Sequence, residues 1–287
     1  MNRAKGNALI FITAFFWSLG GLLYRMVDLN AVLIAGVTCM IAYVIMGIYR
    51  KSMRISLTKT AALAGFCSCM TNITFILANQ MTSAANAIVL QYASPIFCLL
   101  YECLYYRRRP AWKQMAVIGM AFGGLILFFF GKLDQGAMLG NLFAIISGIF
   151  FGGVFFLNTL PQARPSDSTQ FAYLLQIAIS LPLLGQLSSL NQEGMLGLAL
   201  IGVLQMGFAG ITFAIGIRHT DSISANLIGI LETIMSPLWV FLAYGEVPGT
   251  YAFLGAAVLL GAVCINIVIN AEPKAKQKEA DLSDTKA

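Results

Sequence analysis

Long apolar runs dominate this chain and leave it few ways to fold. A helix crossing a hydrocarbon core of about 30 Å needs roughly 20 mostly apolar residues, because only a helix or a closed barrel satisfies its own backbone groups there. Ten such runs can be read, at residues 7–24, 31–49, 60–79, 84–106, 112–130, 137–157, 168–187, 194–217, 222–244 and 250–270. With 59% hydrophobic and 10% charged residues, there is too little polar surface to dissolve a globule of this length. The reading is an all-α integral membrane protein of ten transmembrane helices.

Weak internal similarity divides these helices into two sets of five. Gly6-Asn7, Ala85-Asn86, Ser94-Pro95, Pro110 and Gly123 recur in the same order as Gly140-Asn141, Ala225-Asn226, Ser236-Pro237, Pro248 and Gly261. Residues 1–132 and 136–270 are therefore expected to be duplicated units, with 271–287 a disordered cytoplasmic tail whose Lys, Glu, Ala and Asp cannot build a core. Because five is odd, the second unit must lie upside down relative to the first. The first span is too long for a signal-peptide core, has no clear small-residue cleavage site, and is expected to remain as a helix.

Basic residues orient the chain, since Lys and Arg near short loops accumulate on the cytoplasmic side. Alternate connections carry Arg3 and Lys5, then Arg50, Lys51, Arg54 and Lys59, then Arg107, Arg108, Arg109 and Lys113, then Arg164, Arg218 and the tail lysines; the other face has only Arg25 and Lys132. Both termini are expected in the cytoplasm. The net charge of +6 then reads as topology and contact with anionic lipid, not as nucleic-acid binding.

Inverted repeats give a protein two related packings, each opening a central site to one side, and this points to transport by alternating access. The residues that most resist burial in lipid suggest the site. Glu232 falls mid-span, where an ionised acid costs about 2.5–3.5 kcal/mol, so it must face protein or water. It reads either as a ligand for a substrate amine, or as a proton carrier, or as a neutral acid bonded to backbone that Pro237 leaves unpaired near Thr233. Ala225, Gly229, Glu232 and Ser236 share one helical stripe, and Ala84, Ala87, Gln91, Ser94, Cys98 and Glu102 form a comparable one. Asn72, Phe75 and Asn79 share a face, as do Gln205 and Thr212, suited to lining a cavity or to ordinary interhelical hydrogen bonds. Trp17, away from the interfacial belt, suits a wall against which substrate stacks.

Other groups read as structural. Glu102 is expected in a local ion pair with Arg109, His219 in a solvated loop, and the cysteines as small hydrophobes without a disulfide or zinc framework. Gly148 and Gly152 match a small-residue packing motif that chance also produces.

Ten helices in two copies, with Trp17 in the first span and Leu231-Glu232 in the ninth, resemble the EamA-type family of the drug/metabolite transporter superfamily. The resemblance covers about residues 6–270. Two departures stand out: the usual Leu-Glu-Pro is here Leu231-Glu232-Thr233-Ile234-Met235-Ser236-Pro237, and Arg107-Arg108-Arg109 replaces the acid that commonly closes the fourth helix, while Glu246 keeps the matching place in the second copy. The resemblance implies amino acids or related metabolites as substrates, with export the expected direction, and short loops without large soluble insertions suit a bacterial cytoplasmic (inner) membrane.

No Lys or Arg lies in the middle third of a span, which disfavours phosphorylated substrates and suits neutral, zwitterionic or cationic ones. No convergent set of nucleophile, base or metal ligands is visible, so an enzyme is not expected, nor a cofactor. There is also no phosphate-binding loop to support ATP-driven pumping. Trp17, Asn72, Gln91, Gln205 and Glu232 are the expected substrate-binding residues, with Glu232 the expected proton-coupling group. The expected partners are a small-molecule substrate, the lipid bilayer and protons, while the sequence is silent on oligomeric state. An uncoupled facilitator and a non-transporting sensor or scaffold are the alternatives.

Overall fold

The structure is a computed structural model that describes residues 1–133, 137–245, 247 and 249–271. Its described residues form α1 (Arg3–Met26), α2 (Ala31–Arg50), α3 (Lys59–Met81), α4 (Ala84–Tyr106), α5 (Trp112–Phe128), α6 (Met138–Thr159), α7 (Pro165–Ser188), α8 (Gln192–His219), α9 (Ser222–Tyr244) and α10 (Thr250–Asn270). Nine of these are long and apolar enough to cross a membrane, and α5 is a shorter apolar helix. Glu246, Pro248 and the tail from residue 272 lie outside the described residues.

Helix packing repeats under exchange of the two halves. α3 packs on α6 as α8 packs on α1, α3 on α7 as α8 on α2, and α4 on α6 as α9 on α1, while α2 meets α7, α4 meets α9 and α5 meets α10. Each of these pairs either has its mate or is its own mate. That is the arrangement of two repeats, α1–α5 and α6–α10, related by a pseudo-two-fold axis. The Arg3 guanidinium donates to the Asn270 carbonyl at 3.2 Å, so the two ends of the helical bundle share one face, called here the terminal face.

The duplicated anchors do matching work. A Cβ on Gly6 would fall 2.6 Å from the His219 carbonyl oxygen, and one on Gly140 would fall 2.7 Å from the Met81 carbonyl carbon, so each glycine lets a helix start press on the turn before α9 or α4. The neighbouring asparagine then grips that turn. Thr82 Oγ1 donates to Asn141 Oδ1 at 2.9 Å, and Thr220 Oγ1 donates to Asn7 Oδ1. His219 thus lies in a tight turn packed on Gly6, partly buried, in place of the solvated loop expected from the sequence.

Four helices are irregular near the centre of the bundle. α4 is interrupted at Tyr92 and Ala93, where Ser94-Pro95 starts a fresh helical segment, and α9 is interrupted at Ile230. Proline accounts for the first break, since its ring clashes with the carbonyl four residues back, that of Gln91. It does not account for the second. Pro237 sits inside the helical segment Leu231–Tyr244, and the break falls just after Gly229. α1 breaks at Leu19 before Gly20-Gly21, and α8 widens into a π-helix over Ile201–Phe208.

Gly148 and Gly152 are used as the packing motif suggests. Cβ atoms there would lie 2.8 Å from the carbonyl oxygens of Gln91 and Ser94 respectively, so α6 rests directly on the broken backbone of α4.

Candidate functional site

Between the two repeats lies a cavity of about 570 Å³. Its volume is that of a small-metabolite site. Trp17, Asn72, Gln91, Gln205 and Glu232 all line it, brought there from α1, α3, α4, α8 and α9. Phe75 and Asn79 line it too, so the whole polar face of α3 points inward. Thr212 does not line it. Its hydroxyl meets that of Thr13 at 2.8 Å and bonds the Phe208 carbonyl at 3.0 Å, an ordinary interhelical tie.

Symmetry governs the centre of the site. Counting from the Gly-Asn pairs, Trp17 and Phe151 hold equivalent places, and their rings lie 6.2 Å apart at the cavity wall. Counting from the Ala-Asn pairs, Tyr92 and Glu232 hold equivalent places, each just after or at a helix interruption. The Tyr92 hydroxyl donates to the Glu232 carboxylate. Glu232 is thus bonded to a side chain of the other repeat, and not to backbone left open by Pro237. Ser94 Oγ donates to Asn226 Oδ1 at 2.9 Å, a second link between α4 and α9.

Amides furnish most of the remaining polarity. Asn72 Nδ2 donates to Gln176 Oε1 at 2.9 Å, and Gln91 Nε2 donates to Ser147 Oγ at 2.8 Å, which in turn donates to the Thr71 carbonyl. Gln205 Nε2 donates to the Trp17 carbonyl at 3.2 Å. Aromatic rings close the apolar part, with Phe213 5.9 Å from Trp17 and Tyr173 donating to the Met206 carbonyl at 2.6 Å. Among the described residues, the lining includes no Lys or Arg.

The cavity opens on one face and is shut at the other. Tyr24, Asn79 and Gln80, at the ends of α1 and α3 away from the termini, line it and are exposed. At the terminal face Arg50 donates to Asp167 at 2.5 Å and to Gln170, and the Ser56 backbone N–H donates to the same Asp167 at 3.0 Å. Asp167 and Gln170 are buried, so this tie between α2 and α7 is not a solvated surface pair. Two further clusters seal the same face. Arg3 pairs with Asp221 and reaches Ser224 at 3.3 Å, and Glu102 accepts from Arg108 and Ser222. The acid therefore pairs with Arg108, one residue short of the expected Arg109, because Arg107 takes a left-handed conformation (φ 51°) that turns the chain early.

Tyr92, Gln176 and Tyr173 were not expected from the sequence. Tyr92 was legible from the repeat, as the counterpart of Glu232, whereas Gln176 and Tyr173 follow from the way α7 packs on α2 and α3.

The sequence pattern of the EamA-like transporter family matches the chain twice, over residues 4–130 and 138–268. This chain belongs to the EamA-like transporter family. It is also similar, at 23% identity over 197 residues covering 68% of this chain and 72% of the relative, to an uncharacterized transporter of Archaeoglobus fulgidus. A solved structure described only as a crystal structure of a protein shares the fold, with a TM-score of 0.77 at 17% identity over 93% of this chain and 98% of that one. As an EamA-like transporter, the molecule is a multi-pass integral membrane protein whose two matched stretches correspond to its two helical repeats.

Proposed function

We propose that this transporter carries amino acids or related neutral, zwitterionic or cationic metabolites by alternating access, exporting them across a bacterial cytoplasmic membrane with both termini inside. One observation carries the reading: a cavity at the repeat interface is open to one face and closed at the other, where Arg50 pairs with the buried carboxylate of Asp167. In an inverted repeat, exchanging the conformations of the two halves opens the sealed face and closes the open one. Arg3, Arg50, Arg108 and Arg164 lie at the terminal face, which supports a cytoplasmic assignment for it. The structure is then the outward-open state.

Trp17, Asn72, Gln91, Gln205 and Glu232 form the proposed substrate site, and Glu232 the proposed proton carrier. A proton on Glu232 changes its bond with Tyr92 at the very place where both broken helices meet, which gives protonation a route to conformation. The same bond favours a second reading, in which Glu232 is a fixed tie and the protein is an uncoupled facilitator. Counterflow in proteoliposomes tests both. Vesicles loaded with unlabelled amino acids and amines should accumulate a labelled member of the panel, and a pH gradient should drive uptake in the coupled case alone. If folded protein exchanges no compound of the panel, the substrate assignment is wrong.

A further inference from the structure

The wall formed by α1, α8 and α9 carries more acceptors than the protein itself uses. Gln205 stands inside the π-helical stretch Ile201–Phe208, a geometry rare enough in helices that it often marks a functional site. It is 8% exposed and lines the cavity, and while its Nε2 is committed to the Trp17 carbonyl, its Oε1 is buried with no hydrogen-bond partner among the described residues. A buried acceptor without a donor is costly, and a ligand N–H removes that cost. Glu232, on the same cavity, accepts one bond from Tyr92, leaving further lone pairs of its carboxylate.

The glycine pair after the break in α1 packs against the helices that carry both acceptors, α8 and α9. A Cβ on Gly20 would collide with Gln205 Nε2, and one on Gly21 with the hydroxyl of Ser236, one helical turn beyond Glu232. The glycine pair therefore lets α8 and α9 close in on either side of α1. An unpartnered amide oxygen, a carboxyl group and no Lys or Arg among the described lining residues suit a ligand group that is positive and rich in N–H.

We propose that this wall is an ammonium subsite, in which a protonated primary amine of the ligand donates to Gln205 Oε1 and to the Glu232 carboxylate, with the Trp17 ring as an apolar and cation-attracting flank. The proposal rests on the transporter reading above and narrows its substrates to primary amines. A quaternary ammonium keeps the charge but lacks the N–H donors, and an N-acetylated amine lacks the charge.

Calorimetric titration of the purified full-length protein with 2-phenylethylamine, its N,N,N-trimethyl analogue and its N-acetyl derivative separates these features. The primary amine should bind at least tenfold more tightly than either analogue, and Gln205→Met, which conserves volume without the acceptor, should lose most of that advantage. Equal binding of the three compounds, or no binding of the primary amine to folded wild-type protein, overturns the subsite. Counterflow on the same preparation keeps the two readings apart. Exchange of compounds without regard to an amine leaves transport standing and removes the subsite, whereas amine binding with no exchange of any compound supports the subsite and contradicts transport.

Discussion

The Tyr92 hydroxyl and the Glu232 carboxylate are hydrogen-bonded across the interface of the two repeats, and each stands six residues beyond an Ala-Asn pair. Two equivalent positions thus meet at the pseudo-symmetry axis, one as donor and one as acceptor. A hydrogen bond contributes about 0.5–1.5 kcal/mol, and about 1.5–3 kcal/mol where one partner is charged. Tyr92→Phe is therefore expected to lower thermal stability in detergent, and Glu232→Gln to make the further change Tyr92→Phe less costly. A double-mutant cycle on unfolding free energies should return a coupling of about 1–3 kcal/mol, and a coupling near zero would show the bond to be energetically idle.

Glu232→Gln should also abolish any dependence of transport on a pH gradient while leaving membrane abundance unchanged, because the amide keeps the shape of the acid and cannot carry the proton. Uptake under an imposed gradient, compared with exchange at equal pH, reads this directly. Retained pH-driven uptake in the variant would remove Glu232 from the coupling mechanism.

Arg50 and Asp167 hold the sealed face, and breaking a buried pair by removing one partner costs about 3–5 kcal/mol because the other charge is left uncompensated. Asp167→Asn should shift the protein toward the state open at the terminal face. Reaction of a cysteine placed at Thr169, which lines the cavity beside this seal, with a membrane-impermeant maleimide added from the terminal face should rise several-fold. An unchanged labelling rate would show that the pair does not hold the seal.

Glycines at the helix contacts differ sharply in what a side chain would meet. Gly148→Val should prevent accumulation of folded protein, since the carbonyls of Leu90 and Gln91 stand at 3.0 and 2.8 Å from the first added carbon and backbone cannot give way. Gly119→Ala meets nothing within 4 Å and should be neutral. Fluorescence size-exclusion profiles of the two variants test the contrast, and two equal profiles would contradict the packing of α6 on α4.

Much of this was legible in the sequence because the bilayer leaves few alternatives. Apolar run lengths set the helices, and the Gly-Asn and Ala-Asn anchors set the repeats, for reasons the structure now makes physical in the paired contacts of Gly6 with His219 and Gly140 with Met81. Trp17, Asn72, Gln91, Gln205 and Glu232 could be picked out because polar or outsized groups in mid-span need a partner or a cavity. The α9 break was not legible, since a rule about proline points to Pro237 and carries no information on Gly229 and Ile230, where the helix is interrupted. Nor does helical periodicity register the π-helix around Gln205, which shifts the register by a residue and packs Gly202 and Gly207 against Ile41 and Ile45. The Arg50 seal was invisible for another reason: the residues that meet there lie more than a hundred positions apart, and only the folded chain joins them.

Alternating access is tested most directly by two distances followed together. In a cysteine-free background, spin labels at Lys51 and Gln162 span the terminal face, and labels at Gln80 and Gln192 span the opposite one, all at exposed positions. Double electron–electron resonance in lipid nanodiscs, with and without the compound that counterflow identifies, should show the first distance lengthen as the second shortens. Two distances that stay fixed, or that open together, would contradict a transporter that exchanges the conformations of its halves.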